Sequence, residues 1–169
     1  MLIAHTERLR IRWFDTRDAP FIVELLNEPS WIRFIGDKGI KTLQDARRYL
    51  ETGPLRMYDR VGFGLYMVES HKAEPMGMCG LIKRDTLKDV DIGFAFLPRF
   101  WGGGYAYEAA SAVMSYGKSV VGLSRVVAIL SQDNNERSAR LLERLGFRFE
   151  GLVTPAPADE TLKLYAAET

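Results

Sequence analysis

The segment from Arg99 to Ala106, RFWGGGYA, carries the residue pattern best suited to binding a ligand. Its three consecutive glycines, Gly102, Gly103 and Gly104, follow an apolar run typical of a strand and precede a stretch with helical periodicity. Because glycine lacks a Cβ, the backbone there can curl until successive N–H groups point into one concavity. The free first-turn amides of the next helix add partial positive charge. A reversing turn needs fewer glycines, so the pattern favours a phosphate site.

The spacing of these residues separates the common classes of phosphate-binding loop. A P-loop requires Gly-Lys-Ser/Thr, and no such residues follow the glycines. A dinucleotide fingerprint requires G-x-G-x-x-G, which Gly102, Gly104 and Ala106 do not satisfy. A nucleotide-dependent enzyme is therefore the weaker interpretation. The spacing that is present is Arg-x-x-Gly-x-Gly, formed by Arg99, Gly102 and Gly104.

That spacing resembles the pyrophosphate loop of the GNAT superfamily, which reads Gln/Arg-x-x-Gly-x-Gly/Ala. A second block, residues 135–147, resembles the Asn-x-x-Ser…Leu-x-x-x-Gly-Phe helix of the same family, with Asn135 and Ser138 at the motif positions. Residues 6–12, residues 101–109 and the Asn-Glu-Pro at 27–29 resemble the branch that contains ribosomal-protein N-terminal (alanine/serine) acetyltransferases. The resemblance spans nearly the whole chain.

This resemblance implies an acetyl-CoA-dependent N-acetyltransferase. Acetyl-CoA would be a cosubstrate, and a primary amine, either a peptide N-terminus or a small molecule, would attack it directly in a ternary complex. The alternative is a non-catalytic acyl-CoA-binding or regulatory module of the same fold. The implied cofactor-binding residues are Phe96, Leu97, Arg99, Gly102, Gly103, Gly104, Tyr105, Ala106, Asn135 and Ser138.

The resemblance also implies individual roles, each with a structural alternative. The amides of residues 102–106 would bind the pyrophosphate, and Arg99 would add charge there or else be a surface residue. The N–H of Phe96 or Leu97 would polarise the thioester carbonyl. Asn135 would bind the pantetheine, or else cap the helix, a role that Asp133 or Asn134 could also fill.

Candidates for acid, base and acceptor contacts are fewer. Many GNAT enzymes use a tyrosine as the acid where this chain has Leu142, so Ser138 is the candidate for protonating the thiolate; alternatively it bonds locally. Asp91, on an apolar strand, is the candidate base or water relay, provided that it is not exposed. Trp31 and Phe34 would line the acceptor site or belong to the core. Since an α-amine titrates near ~8 and a lysine near ~10.4, a weak base favours an α-amine or a weakly basic amine.

Hydrophobic periodicity predicts the element order β-α-α-β-β-β-α-β-α-β-β, an α/β (α+β) pattern in one domain, residues 1–169. Expected helix caps are Thr16, Thr42 with Asp45, and Asp133 with Glu136. The resemblance implies a mixed, mostly antiparallel central sheet of about seven strands, flanked by about four helices. It also implies that the sheet is splayed at the acetyl-CoA site, between the strand ending near Leu97 and the strand from Arg125. The predicted strands are residues 9–13, 62–69, 76–83, 90–97, 125–131, 147–153 and 161–167.

Composition limits the possible partners. The chain has 23 Lys and Arg against 22 Asp and Glu, which gives no reason to expect nucleic acid or a membrane surface. The single cysteine, Cys79, lies among apolar residues and indicates a reducing compartment. No apolar run approaches membrane-spanning length, so a cytoplasmic location is expected. His5 and His71 have no spaced partner, so no metal is expected. The sequence leaves open a monomer or a homodimer.

Overall fold

The computed structural model describes residues 1–133, 135–156 and 159–169, and contains one eight-stranded mixed sheet in the order β1-β2-β3-β4-β5-β6-β8-β7. Asn134, one of the alternative caps, and Pro157 lie outside the described residues. The strands are β1 (Leu2–His5), β2 (Leu9–Trp13), β3 (Leu65–Ser70), β4 (Pro75–Ile82), β5 (Asp91–Phe96), β6 (Arg125–Ser131), β7 (Arg148–Val153) and β8 (Leu162–Glu168).

Within the described residues, six α-helices pack against the two faces of this sheet. They are α1 (Ala19–Leu26), α2 (Pro29–Phe34), α3 (Leu43–Thr52), α4 (Pro54–Val61), α5 (Tyr105–Tyr116) and α6 (Glu136–Arg144). Short 3-10 turns precede α1 and follow β5, and a π-helical turn, Gly117–Val121, extends α5. None of the helices in the described part of the chain has the length and apolar character needed to cross a bilayer.

The sheet separates two hydrophobic clusters, and alternation along β5 assigns its side chains to one or the other. Ile92 and Phe96 lie in the cluster that includes residues of α5 and α6. Leu97 lies in the cluster formed with α1 and α3, and Ala95 packs against it. Since successive strand residues point to opposite faces, Asp91 shares the α1/α3 face with Ala95. We call this face, covered by α1, α2 and α3, the acceptor face.

One break in the sheet separates β5 from β6. Every other neighbouring pair is antiparallel, whereas β5 and β6 are parallel and are paired only at Asp91 and Val127. The Val127 N–H donates to Val90 O over 2.9 Å. Beyond that point β5 keeps its full register with β4, and β6 keeps its register with β8. The expected splay of the sheet is therefore confirmed.

The fold class is confirmed, but the predicted numbers of strands and helices were too low. The first strand, Leu2–His5, is too short to show periodicity and precedes the first predicted strand. Pro29 follows the end of α1 at Leu26 and also begins α2, a helix that was not predicted; Pro54 begins α4 in the same way. Proline is favoured at the first helical position because its missing N–H is not needed there.

The helix caps agree with expectation at one of three positions. Thr42 and Asp45 form the predicted capping box at the start of α3. Thr16 is not the first cap: Asp15 caps the 3-10 turn in a reciprocal box with Asp18. The expected Asp133–Glu136 cap is also wrong, because Asn135 holds the N-cap position and Glu136 is the first residue of α6.

Candidate active site

A cavity of about 1030 Å³ opens along the splayed strands and gathers most of the predicted site residues. One wall comes from β5, β6, the glycine loop (residues 101–104) and α6, and the other from α2, α3, α4 and neighbouring strands. Leu97, Arg99 and Gly103 are not among the residues that line it. The predicted residues that do line it are Trp31, Phe34, Asp91, Phe96, Gly102, Gly104, Tyr105, Ala106, Asn135 and Ser138.

The glycine loop has the backbone geometry that an anion site requires. Gly102 and Gly104 have φ angles of +83° and +81°, a left-handed conformation that is costly for residues with a Cβ. Gly104 occupies the N-cap position of α5, so the unbonded first-turn amides begin at the cavity wall. A helix N-terminus of this kind attracts phosphate through its N–H groups and dipole.

The main chain of β5 offers hydrogen-bond donors to the slot between β5 and β6. The Leu97 N–H donates to Met76 O over 3.0 Å, which extends the ladder to β4 and rules out Leu97 as the donor to a thioester carbonyl. In an antiparallel pair, successive residues direct their N–H and C=O groups to opposite sides. The N–H groups of Phe94 and Phe96 consequently point toward β6, and both residues line the cavity. Phe96 remains a candidate donor, and Phe94 is a second one that sequence reasoning missed.

The positively charged side chains that line the cavity on the side of the glycine loop come from α6. Arg99 bonds Glu24 of α1 over 2.9 Å and is half-exposed, as expected for the alternative of a surface charge. Arg137 lies over the Trp101 ring at 5.1 Å, and Arg144 lies over the Tyr107 ring at 4.1 Å. Both arginines line the cavity.

These cavity arginines were not singled out from the sequence. Arg137, Arg140 and Arg144 recur at three- and four-residue spacing, so they share one face of α6. That spacing could have identified the three arginines from the sequence as one positively charged face of the helix. All three line the cavity.

Asp91 is buried and paired with Arg84, at the end of β5 remote from the glycine loop. Only 1% of the residue is exposed, which excludes the alternative of an exposed carboxylate. Its Oδ1 accepts from Arg84 Nε over 2.9 Å. Burial raises the pKa of Asp91 above its ordinary value, and the nearby Arg84 only partly opposes that shift. A carboxylate with a raised pKa on the acceptor face can take a proton from an amine.

The α6 motif residues face the slot from the opposite wall. Asn135 holds the N-cap position without making a side-chain capping bond within the described residues, and it lines the cavity with Ser138. Leu142, which replaces the tyrosine acid of many family members, is fully buried in the core. Ser138 is therefore the α6 hydroxyl at the cavity wall.

Aromatic and basic side chains line the acceptor face of the cavity. Trp31 belongs both to the α1/α3 cluster and to the cavity lining, so it is a core residue that also contributes to the cavity wall. Phe34 is half-buried and lines the cavity as well. Burial raises the pKa of Tyr49 to about 12, which keeps its hydroxyl protonated at neutral pH. Arg33 and Lys38 also line this part of the cavity.

Comparison with known proteins agrees with this geometry. The Acetyltransferase (GNAT) domain family matches residues 8–148, most of the chain. The protein belongs to the GNAT acetyltransferase family. Among GNAT relatives, the uncharacterized N-acetyltransferase YoaA of Bacillus subtilis is 30% identical over 152 residues, covering 89% of this chain and 85% of YoaA.

Two solved structures show how far the GNAT fold is shared. A GNAT acetyltransferase from Bacillus anthracis aligns with a TM-score of 0.79 and 26% identity, covering 99% of this chain and 98% of its own. The ribosomal L7/L12 α-N-protein acetyltransferase RimL, solved with coenzyme A, aligns with a TM-score of 0.84 at 18% identity, covering 99% of this chain and 98% of RimL. At that identity the likeness to RimL concerns the fold alone. Across the part of the chain that the structure describes, no cluster of three metal-ligating side chains occurs.

Proposed function

We propose that this GNAT enzyme transfers an acetyl group from acetyl-CoA to a primary amine, either a peptide N-terminal α-amine or a small-molecule amine. One observation carries the proposal. A single cavity joins the glycine loop, the unpaired main chain of β5 and the buried carboxylate of Asp91. A donor with a diphosphate and an amide-containing arm matches the first two, and an amine matches the third.

The residues of the slot divide the binding of acetyl-CoA between them. The amides of residues 102–106 would hold the diphosphate, with Arg137 and Arg144 adding positive charge. The N–H groups of Phe94 and Phe96 would bind amide and thioester oxygens, as an added strand does at a sheet edge. The Asn135 side chain would bond the same arm from the α6 wall.

The proposed reaction is direct acyl transfer. The amine nitrogen bonds to the thioester carbonyl carbon, and a β5 N–H stabilises the negative charge that develops on the carbonyl oxygen. The C–S bond then breaks. Asp91 takes the proton that the amine loses and releases it to solvent, and the Ser138 hydroxyl protonates the departing thiolate and is reprotonated from solvent water. Because an α-amine titrates near ~8, a single carboxylate with a raised pKa is enough assistance for such an acceptor.

The decisive experiment combines a turnover assay with product identification. Purified protein is incubated with acetyl-CoA and a panel of peptides and small amines, CoA release is followed, and products are identified by mass spectrometry. Acetylated amine formed at a rate proportional to enzyme supports the proposal. CoA binding with no acetylation across the panel would instead indicate a non-catalytic acyl-CoA-binding module, which the absence of a tyrosine at Leu142 would permit.

A serine substitution tests the assigned acid. Ser138→Ala is expected to reduce kcat by about 10²-fold, the lower range for general acid catalysis, with little change in the Kd of CoA. Ser119→Ala, an exposed serine outside the cavity lining, is the matched control. Equal kcat values for the two variants would remove Ser138 from the mechanism.

A further inference from the structure

Two features of the structure go beyond the transfer reaction itself, and the first concerns the binding of the acceptor. Among the residues that line the cavity are three basic side chains outside α6, Arg33, Lys38 and Arg84, and two carboxylates, Asp91 and Glu160. Arg84 is bonded to the first residue of β5, whereas the glycine loop follows the last. Six strand residues span roughly 17 Å, so Arg84 is too far from the loop to serve the diphosphate.

The pairing of Arg84 with Asp91 leaves most of the guanidinium unused. Arg84 donates from Nε alone, and within the described residues no partner is found for its two terminal nitrogens. The Arg84 side chain is 41% exposed, while that of Asp91 is 1% exposed. A guanidinium carries five donors, and its terminal nitrogens can bind a carboxylate in a bidentate manner. Asp91 thus holds Arg84 in place while a donor edge remains free.

We propose that the acceptor is an amine that carries a carboxylate a few atoms away: the amine lies beside Asp91, and the carboxylate binds the terminal nitrogens of Arg84. This inference rests on the proposed function. The matching chemistry is found in free α-amino acids and in peptide N-termini that begin with an acidic residue. A cation and an anion held 2.9 Å apart complement such a molecule and disfavour acceptors with only a positive charge.

Matched acceptor pairs test this proposal. A free amino acid is compared with its amide, and a peptide beginning with Asp with the same peptide beginning with Asn. We expect the carboxylate member of at least one pair to have a kcat/KM about tenfold higher, and the pair that shows it identifies the source. Arg84→Met should bring that ratio to about one, whereas Arg47→Met, an exposed arginine outside the cavity lining, should leave it unchanged.

The possible outcomes distinguish a failure of this inference from a failure of the proposed acetyltransferase function. Turnover with equal kcat/KM within both pairs would overturn the carboxylate preference and leave the acetyltransferase proposal standing. A wild-type preference that persists in Arg84→Met would overturn the assignment to Arg84. Failure to acetylate any amine would overturn the proposed function and this inference together.

The second feature is independent and concerns Arg8, in the loop between β1 and β2. Arg8 Nη1 donates to Gly103 O over 2.8 Å, and Arg8 Nε donates to Glu108 Oε1 over 2.7 Å. The guanidinium also lies 4.2 Å from the centroid of the Tyr105 ring. Arg8 therefore contacts the glycine loop and the first turns of α5 at three points, across about a hundred residues of sequence.

Glu108 fixes this contact from the other side. Its Oε2 accepts from the Arg8 main-chain N–H over 3.0 Å and from Thr6 Oγ1 over 2.5 Å. An isolated surface ion pair contributes little, but here the carboxylate is 19% exposed and has three donors. Glu108 does not line the cavity, which agrees with a structural role.

Peptide geometry connects Arg8 to the ligand site. In a trans peptide the C=O and the following N–H point in opposite directions. With Gly103 O bound to Arg8, the N–H of Gly104 is directed away from Arg8, and Gly104 lines the cavity. We infer that Arg8 is a positioning residue, which sets the orientation of a phosphate-binding amide without touching the ligand.

Ligand truncation provides the test. Arg8→Met should raise the Kd of CoA, measured by calorimetry, by about tenfold, and Arg8→Lys should recover part of the loss. The kcat/KM for acetyl-pantetheine, which lacks the diphosphate, should remain at the wild-type value. The matched control is Arg10→Met, since Arg10 makes only a 4.0 Å ion pair with Glu69.

Two results would overturn the positioning role. One is an unchanged Kd for CoA in Arg8→Met. The other is an equal loss of kcat/KM with acetyl-CoA and with acetyl-pantetheine, which would indicate general damage to the fold. The calorimetric arm needs no acceptor amine, so its result stands whether or not the acetyl transfer is confirmed.

Discussion

At the scale of single residues, Asp91 combines burial with charge. Burial raises the pKa of its carboxyl, and Arg84 compensates only in part. In the unfolded chain this carboxyl loses its proton at a lower pH than in the folded protein. The folded state thus binds more protons between the two pKa values, and stability falls as pH rises through that window. At pH values above that window the ionised carboxylate lowers the stability of the fold, and in the proposed mechanism the same carboxylate serves as the base.

Replacing Asp91 should separate these two effects. Asp91→Asn is expected to lower kcat/KM by about 10²-fold, typical for loss of a general base, and to remove the acidic limb of the pH–rate profile. The melting temperature at neutral pH should equal or exceed that of the wild type. Steady-state rates and thermal unfolding from pH 5 to 9 measure both, with the exposed Asp59→Asn as control. A large loss of stability together with unchanged activity would reverse the assignment.

The single cysteine provides a second prediction at this scale. Cys79 is fully buried on β4, and burial raises the pKa of its thiol. A protonated, inaccessible thiol is a poor nucleophile, so no acetyl-cysteine intermediate is expected. Treatment of the native protein with iodoacetamide should leave the rate of CoA release unchanged. Rapid inactivation with modification of Cys79, detected by mass spectrometry, would argue against direct attack by the amine.

At the scale of elements, the junction between β5 and α5 depends on left-handed glycines. Gly102→Ala places a Cβ in open space at φ +83°, so its cost is conformational and amounts to about 1–2 kcal/mol of stability. Gly122→Ala meets the same conditions, with φ +84° and no neighbour within 4 Å, beyond the end of α5. Both variants should lose similar stability in denaturant titrations, but only Gly102→Ala should weaken CoA binding. Equal CoA affinity in both would show that the loop amides do not bind the diphosphate.

Element boundaries were predictable where the signal was local. Thr42 and Asp45 are three residues apart and satisfy each other's backbone, so the sequence was sufficient to identify the cap. Pro29 and Pro54 were ambiguous because proline both ends one helix and begins the next. The main-chain donors on β5 could not be identified without the strand register. The hydrogen bond from the Leu97 N–H to Met76 O shows that the N–H groups of Phe94 and Phe96 point into the slot.

At the scale of the whole molecule, the family and the residues that share one cavity were predictable, whereas long-range partners were not. The glycine loop and the α6 motif are each a continuous stretch of sequence, so their residue patterns alone were sufficient to identify them. Arg99 bonds Glu24, and Arg8 bonds Glu108 a hundred residues away. The first pair depends on how α1 lies against the turn after β5, and the second on how the β1–β2 loop lies against α5. No local spacing in the sequence predicts either arrangement.

Ligand binding should stabilise the whole fold. CoA at about a hundred times its Kd adds roughly 2.7 kcal/mol to the free energy of unfolding. For a chain of this length, that corresponds to a rise of about 5–10 °C in melting temperature. NAD and ATP, measured at the same concentrations by the same thermal-shift method, should give smaller shifts. A larger rise in melting temperature with NAD or ATP than with CoA would indicate that the cavity binds a nucleotide in preference to CoA.

The single β5–β6 pairing has one more consequence, for solubility. Unpaired strand edges normally invite another chain to add a strand, and proteins protect them from such aggregation. Here the two unpaired edges face each other inside the molecule, and the Trp101 indole already covers the outermost carbonyl, that of Phe96. The unpaired N–H and C=O groups of β5 are therefore available to a ligand in the cavity but are shielded from pairing with a strand of another protein molecule.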